Sequence, residues 1–244
     1  MPARKAPPLE RYRQKRRFDV TPEPRGKAPK PRRRKLAWVV QKHRATALHY
    51  DFRLEWDGVM KSWAIPKGPS LDPSAKRLAM PTEDHPREYN AFEGVIPEGE
   101  YGGGTVMIWD RGTWTPEVDD VDAALARGEL KFRVDGEKLQ GSYALVRIAR
   151  GRTDEKKTPW LLIRHRDASA SSRDIRDITE EQPRSAVSGR LLFEIARDEG
   201  GNLRKAAEGD PPALLKKLLA RPDLIKPAKR SRKKSVWHSD QKLA

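Results

Sequence analysis

The sequence predicts a mainly β protein: a small closed or curled β-barrel with one or two short helices and basic, flexible N- and C-terminal extensions. Three observations carry this reading. From Leu48 to Trp56 apolar and polar residues alternate strictly, and Asp57-Gly58 follows, the preferred pair for a two-residue hairpin turn. Further short runs rich in β-branched and aromatic residues recur between Gly, Pro and Asp turn signals. One stretch, Val118 to Arg127, has good helix boundaries, with Asp119 and Asp120 in its first turn and Gly128 past its end. Many short strands and a single clear helix suit a barrel or a curled sheet.

Taken in order, residues 1–35 read as a basic leader and linker. Met1 to Pro8 has a disordered composition, Leu9 to Phe18 suits a short basic helix, and Pro29 to Lys35 is a basic linker. Thr21-Pro22-Glu23-Pro24 ends the helix, because a proline restricts the residue before it. Residues 36–167 form the barrel domain. Trp38 to His43 is its first strand, Leu48 to Trp56 its second, and Val59 to Ile65 the return strand. A tight turn pairs Trp56 with Val59, Arg53 with Ser62 and Asp51 with Ala64. Arg77 to His85 alternates again, which places Arg77, Glu83 and His85 on one parity if the stretch is extended. Gly94 to Gly104 reads as loop. Thr105 to Asp110 and Thr113 to Thr115 read as a hairpin around Arg111-Gly112, and Lys131 to Val134, Ser142 to Ile148 and Trp160 to Arg164 as strands. Residues 168–244 are a partly disordered basic extension rather than a second domain. Within it Ser169 to Arg173 is loop, Gly189 to Asp198 is helix or strand, Pro211 to Arg221 is a short amphipathic helix, and Lys226 to Ser235 is a basic tail.

The chain has no cysteine, so disulfides and thiolate metal sites are excluded. It has no apolar run near the length of a membrane span and no signal-peptide pattern, and a cytoplasmic, nucleoid-associated location is expected. Charge is unevenly spread. Of the net +16, residues 1–35 carry +11 and residues 204–244 carry +8, which leaves −3 on the middle. Basic ends on a near-neutral middle point to nucleic acid as partner, against a merely solvated tail.

The strand Leu48 to Trp56 meets the core with its apolar face. Its other face carries His49, Asp51 and Arg53, roughly 7 Å apart in succession. His43 arrives from the preceding strand. Two imidazoles and a carboxylate suit Zn, Mn or Fe and leave positions open for water and substrate. A His-x-Asp pair by itself is common on solvated strand faces. Here, however, three of the five histidines (His43, His49 and His85) fall within the 48 residues from Trp38 to His85. Arg53 shares the strand face, Lys67 follows the return strand, and Arg77 shares parity with His85. Fixed guanidinium groups grip phosphate in a bidentate way, while lysine acts as a point charge. A metal beside several cations and a spare histidine is what phosphoester hydrolysis needs. Two other classes compete. A non-haem iron oxygenase built on His49 and Asp51 would need a distal histidine and arginine, for which His165 and Arg173 are the candidates, and it leaves Lys67 and Arg77 unexplained. A non-catalytic DNA-binding accessory module leaves the histidine–aspartate cluster unexplained.

Residues 36–167 closely resemble the phosphoesterase module of bacterial DNA ligase D, the end-healing part of an end-joining ligase. The matching runs are Val39-Val40-Gln41-Lys42-His43, Leu48-His49-Tyr50-Asp51-Phe52-Arg53-Leu54-Glu55, Ser62 to Ser70, Glu83-Asp84-His85-Pro86 and Phe92 to Gly102. Tyr12, Lys15-Arg16, Phe18 and Thr21 to Pro24 look like that family's leader, and Ser188-Gly189-Arg190 like a linker that follows the module. The resemblance implies a small β-barrel and a manganese-dependent enzyme, with Zn²⁺ or Co²⁺ as other metals. Such an enzyme trims a 3′-terminal ribonucleotide to a 3′-phosphate and removes the phosphate to leave a 3′-OH for ligation. It implies His43, His49 and Asp51 as metal ligands and Arg53 and His85 as the phosphate-contacting and catalytic pair. Gln41, Lys67, Arg77, Glu83 and Tyr89 fall on supporting positions, and Glu23 on an acidic leader position. Arg17 stands where an aspartate is usual, which bears on the ribonucleotide step. DNA 3′ ends are the implied substrate, on a primer-template or duplex, and a separate DNA ligase or end-joining factor is the implied partner. No lysine-nucleotide ligase motif is found and the chain is too short for a polymerase domain, so a stand-alone or fragment form is expected.

Overall fold

The computed structural model describes residues 9–27, 35–148, 158–166 and 177–220. The expectations for Met1 to Pro8, most of Pro29 to Lys35, Ser169 to Arg173, and Lys226 to Ser235 lie outside them. Among the described residues there are ten strands: β1 (Leu36–Arg44), β2 (Leu48–Trp56), β3 (Val59–Ile65), β4 (Lys76–Pro81), β5 (His85–Pro86), β6 (Gly94–Ile96), β7 (Gly104–Pro116), β8 (Glu129–Gly136), β9 (Gln140–Arg147) and β10 (Trp160–Arg164). Eight of them run antiparallel in the order β1-β2-β3-β4-β10-β9-β8-β7, and β7 returns to pair with β1. The sheet is therefore a closed barrel, as the sequence predicts. The first hairpin has the expected register, Trp56 opposite Val59, Arg53 opposite Ser62 and Asp51 opposite Ala64. Its turn has Asp57 and Gly58 both at positive φ, the geometry that matches the twist of paired strands.

The barrel interior holds one apolar cluster to which every barrel strand contributes. Trp38, Phe52, Trp63, Ala79, Trp109, Phe132, Tyr143 and Leu162 are among its members. Helix α2 (Val121–Arg127) closes the end where β2 finishes, with Trp56 Nε1 donating to Asp122 at 2.9 Å. Helices α3 (Ile178–Glu181), α4 (Leu192–Glu199) and α5 (Leu203–Ala207) bring Ile178, Leu192, Ile195 and Ala206 to the same cluster. With a filled interior, the polar row of β1 and β2 must lie on the barrel's outer face, because successive strand residues point to opposite sides. A second, smaller cluster covers that face: Tyr12, Tyr89, Phe92, Ile96 and Val106.

Several elements differ from the sequence reading. The expected hairpin around Arg111-Gly112 is instead the middle of one 13-residue strand, β7. Gly112 lies opposite Gly136, and a Cβ on it would come within 1.9 Å of the Asp135 carbonyl oxygen. The glycine serves close strand approach there, not a turn. Part of the expected Gly94 to Gly104 loop is strand β6, paired with the start of β7. The alternation from Arg77 to His85 breaks after Pro81: β4 ends, and β5 pairs His85 with Met60 on β3. Helix α2 starts at Val121, because Asp120 is its N-cap and accepts from Ala123 N at 2.9 Å. Gly189 to Asp198 resolves into helix α4, and the last helix, α6 (Pro212–Leu219), falls where expected. Helix α1 (Glu10–Gln14) is shorter than the expected Leu9 to Phe18.

The described parts of both extensions dock on the barrel. Leu9, Tyr12, Thr21 and Glu23 are buried, and Tyr12 donates to the Pro24 carbonyl at 2.5 Å. In the Ser188-Gly189-Arg190 run, Arg190 pairs with Glu93 at 3.3 Å. Among the described residues no helix is long and apolar enough to cross a membrane.

Candidate active site

β1 and β2 place His43 directly opposite His49, Gln41 opposite Asp51 and Val39 opposite Arg53. The antiparallel register thus gathers two imidazoles, a carboxylate, an amide and a guanidinium on one face. His43 Nδ1 and His49 Nε2 each lie 3.7 Å from the same oxygen, Asp51 Oδ2. The three donor atoms sit within 4.8 Å of one another, the one group of this kind among the described residues. The opposite ring nitrogens are both engaged with backbone. His43 Nε2 donates to Gly102 O at 2.8 Å and His49 Nδ1 to Ala47 O at 3.1 Å. A carbonyl only accepts, so each bond fixes the tautomer that leaves the nitrogen facing Asp51 without a proton. That is how a metal-binding histidine is prepared.

The charges agree with this at His43, while at His49 they favour a proton that a bound cation would have to displace. Burial pushes His43 below its ordinary pKa, and Asp51 opposes this only in part. For His49 burial acts the same way, but Asp51 and the Ala47 carbonyl outweigh it and hold the imidazole above its ordinary value. Burial alone would raise Asp51. Arg53 and the two histidines outweigh it and keep the carboxyl well below the usual range. Asp51 is therefore an anion that favours a shared cation between the rings.

Arg53 is 2% exposed and held on two sides. Its Nε donates to Gln41 Oε1 at 2.8 Å and its Nη2 lies 3.1 Å from Asp51 Oδ2. Nη1 is buried and has no hydrogen-bond partner among the described residues. Gln41 is locked in turn, its Nε2 donating to the carbonyls of Tyr89 at 3.0 Å and Phe92 at 2.9 Å. Tyr89, in a short 3₁₀ turn after β5, sets its ring 5.0 Å from the Arg53 guanidinium. His85 is buried beside it. Its Nδ1 donates to the Glu83 carbonyl at 2.8 Å, and its Nε2 faces Arg16 Nη2 at 3.3 Å. Burial, then Arg53 and Arg16, push His85 well below its ordinary pKa, so it is a neutral imidazole at pH 7.

The sequence reading passed over Arg16 as a site residue. It comes from the leader, and its side chain is 5% exposed between Glu23 at 2.7 Å and Glu83 at 3.1 Å, over the Tyr12 ring at 3.9 Å. Glu23 therefore holds Arg16, and Thr21 Oγ1 donates to its other oxygen at 2.8 Å. Glu83 is shared with Lys15 at 2.9 Å. Arg17 forks onto Glu100 and is mostly exposed. A basic leader has no periodicity that would single out one arginine; the likeness of Tyr12, Lys15-Arg16 and Phe18 to the leader of the resembled family was the available signal.

Two expected members stand apart. Lys67 is exposed beyond β3 with no ion-pair or hydrogen-bond partner among the described residues. Arg77 pairs with Leu162 on β10, and its ionic neighbour is Asp177 at 3.9 Å, because the break after Pro81 separates its parity from that of His85. His165, required for the oxygenase reading, is not in the metal-capable group, and Arg173 lies outside the described residues.

A closed antiparallel barrel carrying a metal-ready His-His-Asp group beside a half-free buried arginine defines the class. Comparison with known proteins names the family within it. Residues 41–147 match the DNA Ligase D 3′-phosphoesterase domain, and this part of the chain belongs to that domain family. It is 51% identical over 195 residues to the multifunctional non-homologous end joining protein LigD of Pseudomonas aeruginosa, covering 79% of this chain and 22% of that protein. It is 47% identical over 139 residues to the LigD protein of Mycobacterium tuberculosis (57% of this chain, 18% of that protein). To that of Mycolicibacterium smegmatis it is 42% identical over 164 residues (65% and 21%). The chain thus spans about a fifth of the length of these curated relatives.

Proposed function

We propose that this chain is a metal-dependent 3′-phosphoesterase that removes 3′-phosphates from DNA ends and leaves a 3′-OH for ligation. One observation carries the proposal: two imidazole nitrogens converge on one oxygen of Asp51, while Arg53 holds a buried N–H with nothing to bind among the described residues. The donor set fits a divalent ion such as Mn²⁺, with Zn²⁺ or Co²⁺ as alternatives, because two neutral nitrogens and one carboxylate suit borderline metals. His43, His49 and Asp51 would hold it. When bound, the ion supplies Lewis acidity toward a phosphoryl oxygen and an activated water.

The chain's own groups do the rest. Arg53, held by Gln41 and Asp51, presents Nη1 to a phosphate oxygen. Arg16, pinned by Glu23 and Glu83, adds a second fixed cation over His85. Neutral His85 is a poor proton donor as it stands. It orients Arg16, and takes up a proton only when a phosphate offsets the two arginines. The leader carboxylate Glu23 is engaged with Arg16, and Arg17 is paired with Glu100. Trimming of a 3′-ribonucleotide is therefore the slower reaction in this reading. The relatives' names speak of non-homologous end joining, and the same setting is proposed here, with a separate ligase or end-joining factor acting on the healed end.

The test is release of label from a primer-template with a 3′-phosphate, and from one with a 3′-ribonucleotide, with Mn²⁺ and with chelator. Mn²⁺-dependent phosphate release that outpaces ribonucleotide trimming is expected. Full activity in chelator would overturn the proposal.

A further inference from the structure

The two carbonyls that orient the histidines belong to different loops. Gly102, at φ +78, lies in the 97–103 loop between β6 and β7, and Ala47 lies in the β1–β2 turn. Both loops are tied to one short segment of the C-terminal extension. Lys205 Nζ donates to Gly103 O at 3.3 Å, and Asn202 Nδ2 donates to Glu98 Oε1 at 3.0 Å. Glu208, one residue past α5, pairs with Arg44, whose Nη1 donates to Ala45 O at 3.0 Å and Thr46 O at 2.8 Å. Two of the ties end one residue from a carbonyl that sets a ring, at Gly103 beside Gly102 and at Thr46 beside Ala47, and the Glu98 tie holds the start of the loop that carries Gly102. The segment itself is anchored, because Ala206 is fully buried in the main core and Asn202 caps α5 by accepting from Lys205 N at 3.0 Å. A cavity of about 430 Å³ lies between the loop and α5, with Pro97, Glu98, Asn202 and Lys205 on its wall. Across that gap the loop meets the helix through polar bridges rather than close apolar packing.

We infer that Asn202–Glu208 is a positioning clamp for the metal-holding histidines, acting through the Gly102 and Ala47 carbonyls. The inference rests on the reading of His43, His49 and Asp51 as metal holders, and it gives the C-terminal extension a part in the site that the family match over 41–147 does not reach. The physical chain is short. If the 97–103 loop drifts, Gly102 O leaves His43 Nε2, and the imidazole loses its fixed tilt and tautomer. Loss of such outer partners lowers metal affinity 10–100-fold in known sites. A group one bond further out is expected at the lower end, about tenfold.

The experiment uses the full chain and Mn²⁺ alone. Lys205→Met removes one tie and keeps the aliphatic stem. Asn202→Asp keeps the helix cap but sets a carboxylate against Glu98. Both are expected to weaken Mn²⁺ binding about tenfold. Both are also expected to speed amide exchange at residues 99–104 in the metal-free protein. Lys205→Arg is expected to bind as the parent does, and Glu98→Gln added to Asn202→Asp is expected to restore affinity, since the amide can donate to the new carboxylate. At saturating Mn²⁺ the rate of phosphate release is expected to recover. Unchanged affinity and exchange in folded variants would overturn the clamp, as would losses that neither rescue repairs. A parent chain that binds no Mn²⁺ would instead overturn the metal reading, and the exchange measurement would still decide whether the clamp holds the loop.

Discussion

Arg53 divides its guanidinium among three tasks. Nε holds Gln41, Nη2 holds Asp51, and Nη1 is buried without a partner. A lysine has one nitrogen at the end of a flexible stem and cannot do all three. Arg53→Lys is therefore expected to lower the rate of 3′-phosphate removal on the order of 10²-fold. Metal binding is expected to be kept, because none of the three donor side chains changes. A rate close to the parent's would show that the fork is not used. His43, His49, Asp51 and Arg53 were legible in the sequence, since period-two alternation fixes which side chains share a strand face, and the Asp57-Gly58 turn fixes the register. Arg16 was not legible as a site residue. It reaches the site through tertiary docking of a segment that has no period of its own, and its partners Glu23 and Glu83 stand 7 and 67 positions away. The neutral state of His85 was equally hidden, because it depends on burial and on two arginines from separate elements.

At the scale of elements, the leader is the clearest departure from its composition. Residues 9–27 are rich in Arg and Pro, yet Tyr12 is fully buried against Tyr89, Phe18 and His85. Tyr12→Ala removes that anchor and the Pro24 hydrogen bond. Truncating a fully buried aromatic costs about 3–5 kcal/mol, more than a five-residue helix retains without docking. The expected outcome is a released leader on an intact barrel: rapid limited proteolysis before residue 28, little change in the barrel's melting temperature, and phosphate removal slowed by loss of Arg16. Resistance of the leader to protease in this variant would contradict it. Other elements were misjudged for local reasons. Gly112 looked like a turn because close strand approach and a tight turn both require glycine, and sequence does not separate them. The stretch Arg77 to His85 looked continuous because the break at Pro81 is set by the return to β3, a long-range event.

Over the whole molecule, the closed barrel answers the fold class read from the strand runs, and its filled interior sends the chemistry to the outer face. Charge is organised at the same scale. In the first part of the 204–244 extension Asp210 is buried, and Lys205 and Glu208 bond to the barrel's loops and to β1. A cut at residue 204 would therefore disturb the site, and the useful cut falls at 221. Residues 221–244 carry eight Lys/Arg against two acidic residues, a net of +6. Their removal is expected to weaken DNA binding and flatten the dependence of log K on log salt, by about 0.9 for each phosphate that is no longer neutralised. Turnover of bound substrate is expected to stay the same. Superimposable salt titrations for the full and shortened chains would assign this charge to something other than DNA.

The central claim is that His43, His49 and Asp51 together hold one divalent ion beside Arg53. An equilibrium titration of the chelator-treated protein with Mn²⁺ tests it most directly, with folding of each variant checked by circular dichroism. The account predicts one tight site per chain, lost in His49→Ala and in Asp51→Ala and kept in Arg53→Lys and His85→Ala. Tight one-to-one binding that survives in folded His49→Ala and Asp51→Ala would contradict it.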